Sequence, residues 1–159
     1  MDETVEIPVT RDAILGGRVT LIQPERGHRA GHDAVLLAAA VPALPGERVL
    51  DLGSGVAEAN AALNGVGDRT RVIIMDARAR GAMRERSGLL LGQIDRVLTN
   101  PPFHDAARHR ASPQPGRRLA HQAPDDMLAG FLRTAVSVLR PGGTLTMIHR
   151  ADQPEALLA

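Results

Sequence analysis

The feature that most restricts the fold is an alternation of short apolar strands with helical segments along most of the chain. Strands are predicted where β-branched residues cluster, and helices where alanine and leucine cluster. Parallel strands need a crossover, usually a helix, so this alternation predicts an α/β fold whose mostly parallel sheet carries helices on both faces. The predicted strands are 48–51, 71–76, 95–99 and 144–148, and the predicted helices are 33–40, 58–63 and 127–139.

An N-terminal β-hairpin is predicted ahead of this core. Apolar runs within residues 10–23 flank Gly16 and Gly17, and a glycine pair permits the positive φ of a tight turn. The 159 residues suit one domain. We therefore expect a single domain overall, made of an N-terminal hairpin and loop, 1–30, and a core, 31–159.

Composition excludes several classes of protein. The chain has no cysteine, which excludes disulfides and cysteine-ligated metals and indicates an intracellular, cytoplasmic protein. The first residues lack the basic and apolar regions of a signal peptide, and no apolar stretch reaches the roughly 20 residues of a membrane span. Six histidines are present, but no acidic cluster accompanies them, so no metal site is predicted.

A glycine-rich turn follows the first strand of the core, in the order Asp51, Leu52, Gly53, Ser54, Gly55. Glycine has no Cβ, so a ligand can approach its backbone closely, and ligands bind beyond the carboxyl ends of strands in open parallel sheets. The turn therefore indicates a cofactor pocket with the aspartate beneath the glycines. The alternative is an ordinary glycine-rich turn. The position of this turn after the first strand of the core makes that alternative less favoured.

The tetrapeptide Asn100, Pro101, Pro102, Phe103 directly follows another predicted strand. Two prolines fix the backbone and remove two N–H donors. The Asn100 amide oxygen and a proline carbonyl would accept both hydrogens of one NH2 group, which favours a pyramidal nitrogen with a free lone pair. Phe103 would stack on a planar substrate. The turn thus predicts chemistry at an exocyclic amine, and the alternative is a rigid turn with a buried phenylalanine.

A loop rich in arginine follows that tetrapeptide, between His104 and His121. Arginines beside a base pocket suit the phosphates of a nucleic acid. The charges alone favour the alternative, a solvated loop, and only the position directly after Asn100 makes the two interpretations equally well supported. The candidate RNA-binding residues are Arg108, Arg110, Arg117 and Arg118.

These motifs resemble the class I S-adenosylmethionine-dependent methyltransferases. Residues 49–55 look like the first motif of that family, whose turn contacts the methionine part of the cofactor. Residues 100–103 look like the catalytic tetrapeptide of amino-group methyltransferases. With residues 27–38, 60–65 and 140–143, the chain is similar to the tRNA(Val) adenine-N6 methyltransferases, which are often labelled predicted O-methyltransferases.

The resemblance implies a Rossmann-like fold, S-adenosyl-L-methionine as cofactor, and adenine N6 of tRNA as substrate. It implies that Asp76 faces the adenine amine of the cofactor and that residues 31–33 border its pocket. The implied catalytic residues are Asn100, Pro101, Pro102 and Phe103. The implied cofactor-binding residues are Gly31, His32, Asp33, Asp51, Leu52, Gly53, Ser54, Gly55, Asp76, Ala77 and Asn100.

The chain departs from this family between Gly55 and Glu58. The rest of the glycine motif, a helix, and a strand ending in a ribose-binding acidic residue are missing there, and Ala159 precedes the last strands of a seven-stranded sheet. We expect part of the sheet to be absent, either because it was deleted or because the sequence joins segments across residues that it does not include. Intact motifs on both sides favour the second interpretation.

Two other functions stay open from the sequence. One is a small-molecule or protein methyltransferase, acting on an oxygen or on a glutamine nitrogen. The other is a non-catalytic Rossmann-like binding module, which the missing ribose-binding segment would favour.

Overall fold

The structure is a computed structural model, and it describes residues 8–26, 29–53, 57–79, 81–101, 126–149 and 151. Its mixed α/β fold contains a two-stranded antiparallel sheet and a three-stranded parallel sheet, which confirms the predicted fold class. The chain divides into two compact units, which we describe separately. The hairpin unit comprises 1–35 and 54–74, and the sheet unit comprises 36–53 and 75–159. The predicted boundary after residue 30 stays a prediction.

The hairpin unit contains the predicted N-terminal hairpin. Strands β1 (Val9–Ile14) and β2 (Val19–Pro24) pair antiparallel from end to end. Gly16 and Gly17 have φ of 66° and 84°, and the Gly17 N–H donates to the Ile14 carbonyl over 3.1 Å. The glycine pair therefore closes the turn as predicted.

Helix α2 (Ala57–Leu63) also belongs to the hairpin unit, and a short 3₁₀ helix (Gly67–Arg69) follows it. The helix ends at a glycine with positive φ, Gly65 at 68°. There the Gly65 N–H donates to Ala62 over 3.1 Å, and the Val66 N–H donates to Ala61 over 2.9 Å. This pattern is a Schellman motif, which satisfies two carbonyls that the last turn would otherwise leave without donors.

The sheet unit is built on three parallel strands, β3 (Val49–Leu52), β4 (Ile94–Thr99) and β5 (Leu139–Met147), in the order β3–β4–β5. Helix α1 (His32–Ala40) begins in the hairpin unit and ends in this one. Two further helices, α3 (Ala82–Arg86) and α4 (Asp126–Val138), belong wholly to the sheet unit. Its fully buried apolar residues come from the central strand and from α4, and they are Val97, Ala135 and Val138.

Strand β5 starts earlier than the sequence predicts. Residues 141–143 lie between the predicted helix 127–139 and the predicted strand 144–148, but in the structure they lie inside the strand as a bulge. The register passes from Ile94 opposite Leu139 to Arg96 opposite Thr144, so β5 contains three more residues over that interval than β4. A Cβ on Gly143 would lie 2.9 Å from the Asp95 carbonyl oxygen, so the bulge needs glycine at this close backbone approach.

The predicted strand at 71–76 is wrong, because these residues form no strand. The side chain of Ile74 is 96% exposed and that of Val72 is 39% exposed. A strand requires a hydrogen-bonded neighbour, and the sequence between Gly55 and Glu58 lacks the strand that could supply one. A β-branched composition is therefore not sufficient to form a strand in this segment. Within the described ranges, no helix is long and apolar enough to cross a membrane.

Candidate cofactor and amine site

The two predicted motifs meet at one edge of the parallel sheet. Leu52, the last residue of β3, is opposite Thr99, the last residue of β4. Gly53 and Asn100 therefore leave adjacent parallel strands side by side. We call this end of the sheet, where Leu52, Thr99 and Met147 end their strands, the carboxyl edge. Such edges are where open α/β sheets bind ligands.

A threonine joins the strands at the carboxyl edge. The Thr99 side chain is only 1% exposed, and its hydroxyl donates to the Leu52 carbonyl over 2.7 Å. On its other side, the Thr99 carbonyl accepts from the Ile148 N–H over 3.2 Å. These bonds fix the point from which Asn100 departs. Sequence reasoning did not identify this residue, although its place directly before Asn100 was visible.

Gly53 fills a position that no other residue fits without strain. Its φ is 105°, and a Cβ there would lie 3.1 Å from Cε1 of Phe131. Phe131 is buried on α4 and packs beneath the turn. Of the two phenylalanines, Phe131 is therefore a core residue, while Phe103 lies outside the described residues.

Asn100 and Pro101 have opposite environments. Asn100 is exposed at the carboxyl edge, whereas Pro101 is among the most fully buried residues. Proline has no N–H, so its burial leaves no backbone donor without an acceptor. The exposed Asn100 amide is thus followed directly by a buried proline. Pro102 lies outside the described residues.

Asp76 forms an ion pair with Arg78. Arg78 Nη2 lies 2.8 Å from Asp76 Oδ2, and the Arg78 backbone N–H donates to Oδ1 over 2.8 Å. These hydrogen bonds, first the one from the Arg78 side chain, lower the pKa of Asp76 below its usual value. The carboxylate is half exposed, so a ligand amine can still reach it. The neighbouring Ala77 carbonyl accepts a hydrogen bond from the Thr134 hydroxyl over 2.6 Å.

The other predicted cofactor residues are distributed as follows. Asp51 is exposed and Leu52 is buried on β3, in the sheet unit. Gly31, His32 and Asp33 are exposed in the hairpin unit, at the start of α1. Besides Pro102 and Phe103, six more predicted site residues lie outside the described ones: Ser54, Gly55, Arg108, Arg110, Arg117 and Arg118. In the part of the chain that the structure describes, no three histidines or carboxylates cluster as metal ligands.

The described residues fit a cofactor at the carboxyl edge. Gly53 presents backbone without a side chain, and the exposed Asn100 follows the adjacent strand. The resemblance assigns Asp76, an ionised carboxylate, to the same cofactor. That cofactor, S-adenosyl-L-methionine, would supply an electrophilic methyl group.

Comparison with known proteins relates the chain to methyltransferases. No protein-family model matches it. It is 28% identical over 153 residues to the ribosomal RNA small subunit methyltransferase C of Alcanivorax borkumensis, covering 87% of this chain and 39% of that protein. It is 35% identical over 133 residues to the 4-amino-L-phenylalanine/4-methylamino-L-phenylalanine methyltransferase of Streptomyces pristinaespiralis, covering 77% and 41%.

A third relative bears the same name as the first. The ribosomal RNA small subunit methyltransferase C of Hahella chejuensis is 27% identical over 136 residues, covering 75% of this chain and 36% of that protein. The chain thus spans about two-fifths of the length of the curated relatives it matches. These distant relatives support a methyltransferase family, and the finer resemblance to tRNA(Val) enzymes stays a prediction.

Proposed function

We propose that the chain forms the methyl-transfer site of an S-adenosylmethionine-dependent methyltransferase that acts on an exocyclic amine. One observation carries the proposal: Gly53 and Asn100 directly follow the paired residues Leu52 and Thr99 of adjacent parallel strands. A cofactor turn and an amine-accepting turn separated by one strand spacing, about 4.8 Å, would bring donor and acceptor within reach.

Asn100 would act on the substrate nitrogen. An exocyclic amine on an aromatic ring is a poor nucleophile, because its lone pair is delocalised into the ring. The Asn100 amide oxygen and a proline carbonyl of the tetrapeptide would accept its two hydrogens, which favours the pyramidal nitrogen that attacks. No strong base is required, and positioning with preorganised acceptors carries most of the rate.

We propose a nucleic acid as the substrate, with adenine N6 of tRNA tested first. Support comes from the arginines at 108, 110, 117 and 118 in the sequence after Asn100, and from two relatives named as ribosomal RNA methyltransferases. Arginine suits phosphate because its planar fork binds two oxygens at once.

The experiment is methyl transfer from radiolabelled S-adenosyl-L-methionine to unmodified tRNA and unmodified ribosomal RNA. Nuclease digestion and chromatography of the labelled RNA then identify the base. We expect label in N6-methyladenosine. Label in no nucleic acid contradicts the RNA assignment, and label on any atom other than an exocyclic nitrogen contradicts the amine chemistry.

A small aromatic amine is the second candidate substrate. The relative with 35% identity is named for 4-amino-L-phenylalanine, a compound whose amine is attached to an aromatic ring, like that of adenine. The same acceptor pair would serve either substrate. Adding 4-amino-L-phenylalanine to the labelling experiment separates the two, since a small amine would be methylated independently of salt concentration, whereas RNA binding weakens as salt rises.

A non-catalytic binding module is tested separately from both. Calorimetry with S-adenosylhomocysteine measures cofactor binding without any acceptor substrate. Binding without methyl transfer to any acceptor in the panel would favour the module, and absence of binding would contradict the proposed cofactor.

A further inference from the structure

Strand β3, Val49–Leu52, lies at one edge of the parallel sheet. Among the described strands, its hydrogen-bonded neighbour is β4 on one side, and no strand lies on the other side. Val49 is 47% exposed, and the strand contains no proline, a residue that blocks backbone pairing at many sheet edges. We call this outer side of Val49–Leu52 the open edge. A further strand can pair with such an edge through the backbone.

Residues 72–74 have the composition and the exposure pattern of a strand, but they pair with none. Val72, Ile73 and Ile74 are all β-branched, and such residues are enriched in strands. Val72 is 39% exposed, Ile73 is half-buried and Ile74 is 96% exposed, so exposure alternates with the period of a strand. Within the described ranges, the backbone groups of these three residues make no hydrogen bond. We call residues 72–74 the unpaired segment.

The unpaired segment and the open edge of one chain do not pair with each other. Two copies of the chain carry two segments and two edges. Reciprocal exchange would pair each segment with an edge and would close the assembly with twofold symmetry, which is the commonest symmetry of protein dimers. We propose that the chain forms a dimer in which residues 72–74 of each copy add a strand to β3 of the other copy.

Two contributions favour this dimer. Strand addition gives hydrogen-bond partners to the backbone of residues 72–74, and it is a recurring mode of protein recognition at sheet edges. Cross-strand contacts between β-branched side chains add to the stability of a sheet, and Val49, Val72 and Ile74 are the exposed apolar residues of the two elements. The dimer does not depend on methyl transfer, since it needs only the open edge and the unpaired segment.

The test is gel filtration with light scattering on the full chain over a range of protein concentrations. Ile74→Lys puts a charge in the unpaired segment, and Val49→Lys puts one on the open edge, where lysine discourages pairing. Val136→Lys is the matched control, because Val136 is 66% exposed on α4 and belongs to neither element. Thermal melting checks that each variant folds.

We expect the wild type and Val136→Lys to be dimeric, and Ile74→Lys and Val49→Lys to be monomeric at the same concentration. An equimolar mixture of the two monomeric variants should form a dimer, although a weaker one. The Ile74→Lys copy keeps its edge and the Val49→Lys copy keeps its segment, so one of the two pairings still forms. A general loss of exposed apolar surface would not produce this rescue by mixing.

A wild-type chain that is monomeric at every concentration overturns the proposal. An Ile74→Lys variant as dimeric as the wild type also overturns it, and this outcome does not require the Val49→Lys variant to fold. A mixture of the two folded variants that stays monomeric has the same consequence.

Hydrogen exchange measured by NMR distinguishes pairing between copies from pairing within one chain. Protection of the Ile73 and Ile74 amides that rises with protein concentration supports the dimer. Protection that is independent of concentration overturns it, because the segment would then pair within its own chain. Methyl transfer by a monomeric wild type would leave the proposed function intact.

Discussion

Both the backbone conformation at Gly53 and a neighbouring core side chain require glycine at this position. The φ of 105° strains any residue with a Cβ, and that Cβ would also press on Phe131. We predict that Gly53→Ala lowers the free energy of unfolding by about 1–3 kcal/mol, the cost of a strained backbone, and more if Phe131 cannot shift. Chemical denaturation measures this loss. Gly16→Ala is the control, because Gly16 has φ of 66° with nothing near its Cβ position, so a loss as large as that of Gly53→Ala would contradict the contact.

The two phenylalanines are expected to differ in what they support. Phe131 is buried on α4, so Phe131→Ala should cost about 3–5 kcal/mol of stability, as large-to-small core substitutions do. Phe103 stays a predicted stacking surface for the substrate base. Phe103→Ala should therefore leave the melting temperature nearly unchanged and weaken RNA binding by about 1–3 kcal/mol. Melting curves and binding isotherms of both variants separate the roles. A Phe103→Ala variant that loses stability but keeps affinity would make it a core residue.

Helix α2 supports the hairpin through two asparagine side chains one helical turn apart. Asn60 accepts from the Ile22 N–H over 2.6 Å and donates to its carbonyl over 3.0 Å. Asn64 does the same at Thr20, over 2.9 and 2.7 Å. Each amide thus replaces a neighbouring strand along the outer edge of β2, which would otherwise present unpaired backbone groups.

Loss of either asparagine should therefore open one particular part of that edge. We predict that Asn60→Ala speeds hydrogen exchange at the Ile22 amide and Asn64→Ala at the Thr20 amide, each with a stability loss of about 1–3 kcal/mol from unsatisfied backbone groups. Exchange measured residue by residue by NMR checks both. Glu58→Ala, at an exposed position in the first turn of α2, is the control. Uniform acceleration across β2 in all three variants would argue against the pairwise bonds.

The elements show how far sequence patterns reach. The hairpin, α2 and the three parallel strands could be predicted, because glycines at turns and runs of β-branched residues determine local backbone conformation. The segment 71–76 could not, because pairing depends on a neighbour elsewhere in the chain. Likewise, the predicted strand began only at residue 144, because the bulge at 141–143 depends on the close approach of Gly143 to β4.

Across the molecule, ion pairs at the amino end of the parallel sheet make stability dependent on pH. Arg96 contacts Glu47 over 2.7 Å and lowers its pKa below the ordinary 4.5. Hydrogen bonds from the Arg48 backbone and the Arg140 side chain lower the pKa of Asp95 below 3.8. A carboxylate with a lowered folded pKa stabilises the fold above its unfolded pKa, and this contribution is lost as pH falls through the folded value.

We therefore predict stability that is level above about pH 5 and falls below about pH 4.5, where these carboxylates bind protons in the unfolded chain more readily than in the folded protein. Glu47→Gln should lower stability at neutral pH and flatten the acid decline. Urea denaturation across pH 3 to 7 measures both effects. Glu85→Gln, which removes an exposed carboxylate from α3, is the matched control, and an equal flattening in it would contradict the role of Glu47.

The candidate site was predictable as far as its motifs and no further. The glycine turn and Asn100 were identified because glycine and proline restrict the backbone directly. These two turns are adjacent because of the register between β3 and β4. No local sequence pattern predicts that register. The Thr99 hydroxyl bond and the burial of Phe131 depend on packing between distant segments, and they were found only in the structure. The Asp76–Arg78 pair is local, but it depends on the conformation of the segment that connects the two residues.

The most direct measurement is the single-turnover rate of methyl transfer by the full chain carrying Asn100→Ala, beside its affinity for S-adenosylhomocysteine. If Asn100 accepts from the target amine, the substitution removes an interaction that strengthens in the transition state. The rate should fall about 100-fold, as for loss of one preorganised partner, while cofactor affinity and melting temperature change little. A wild-type single-turnover rate in Asn100→Ala would contradict the assignment of the methyl-transfer site.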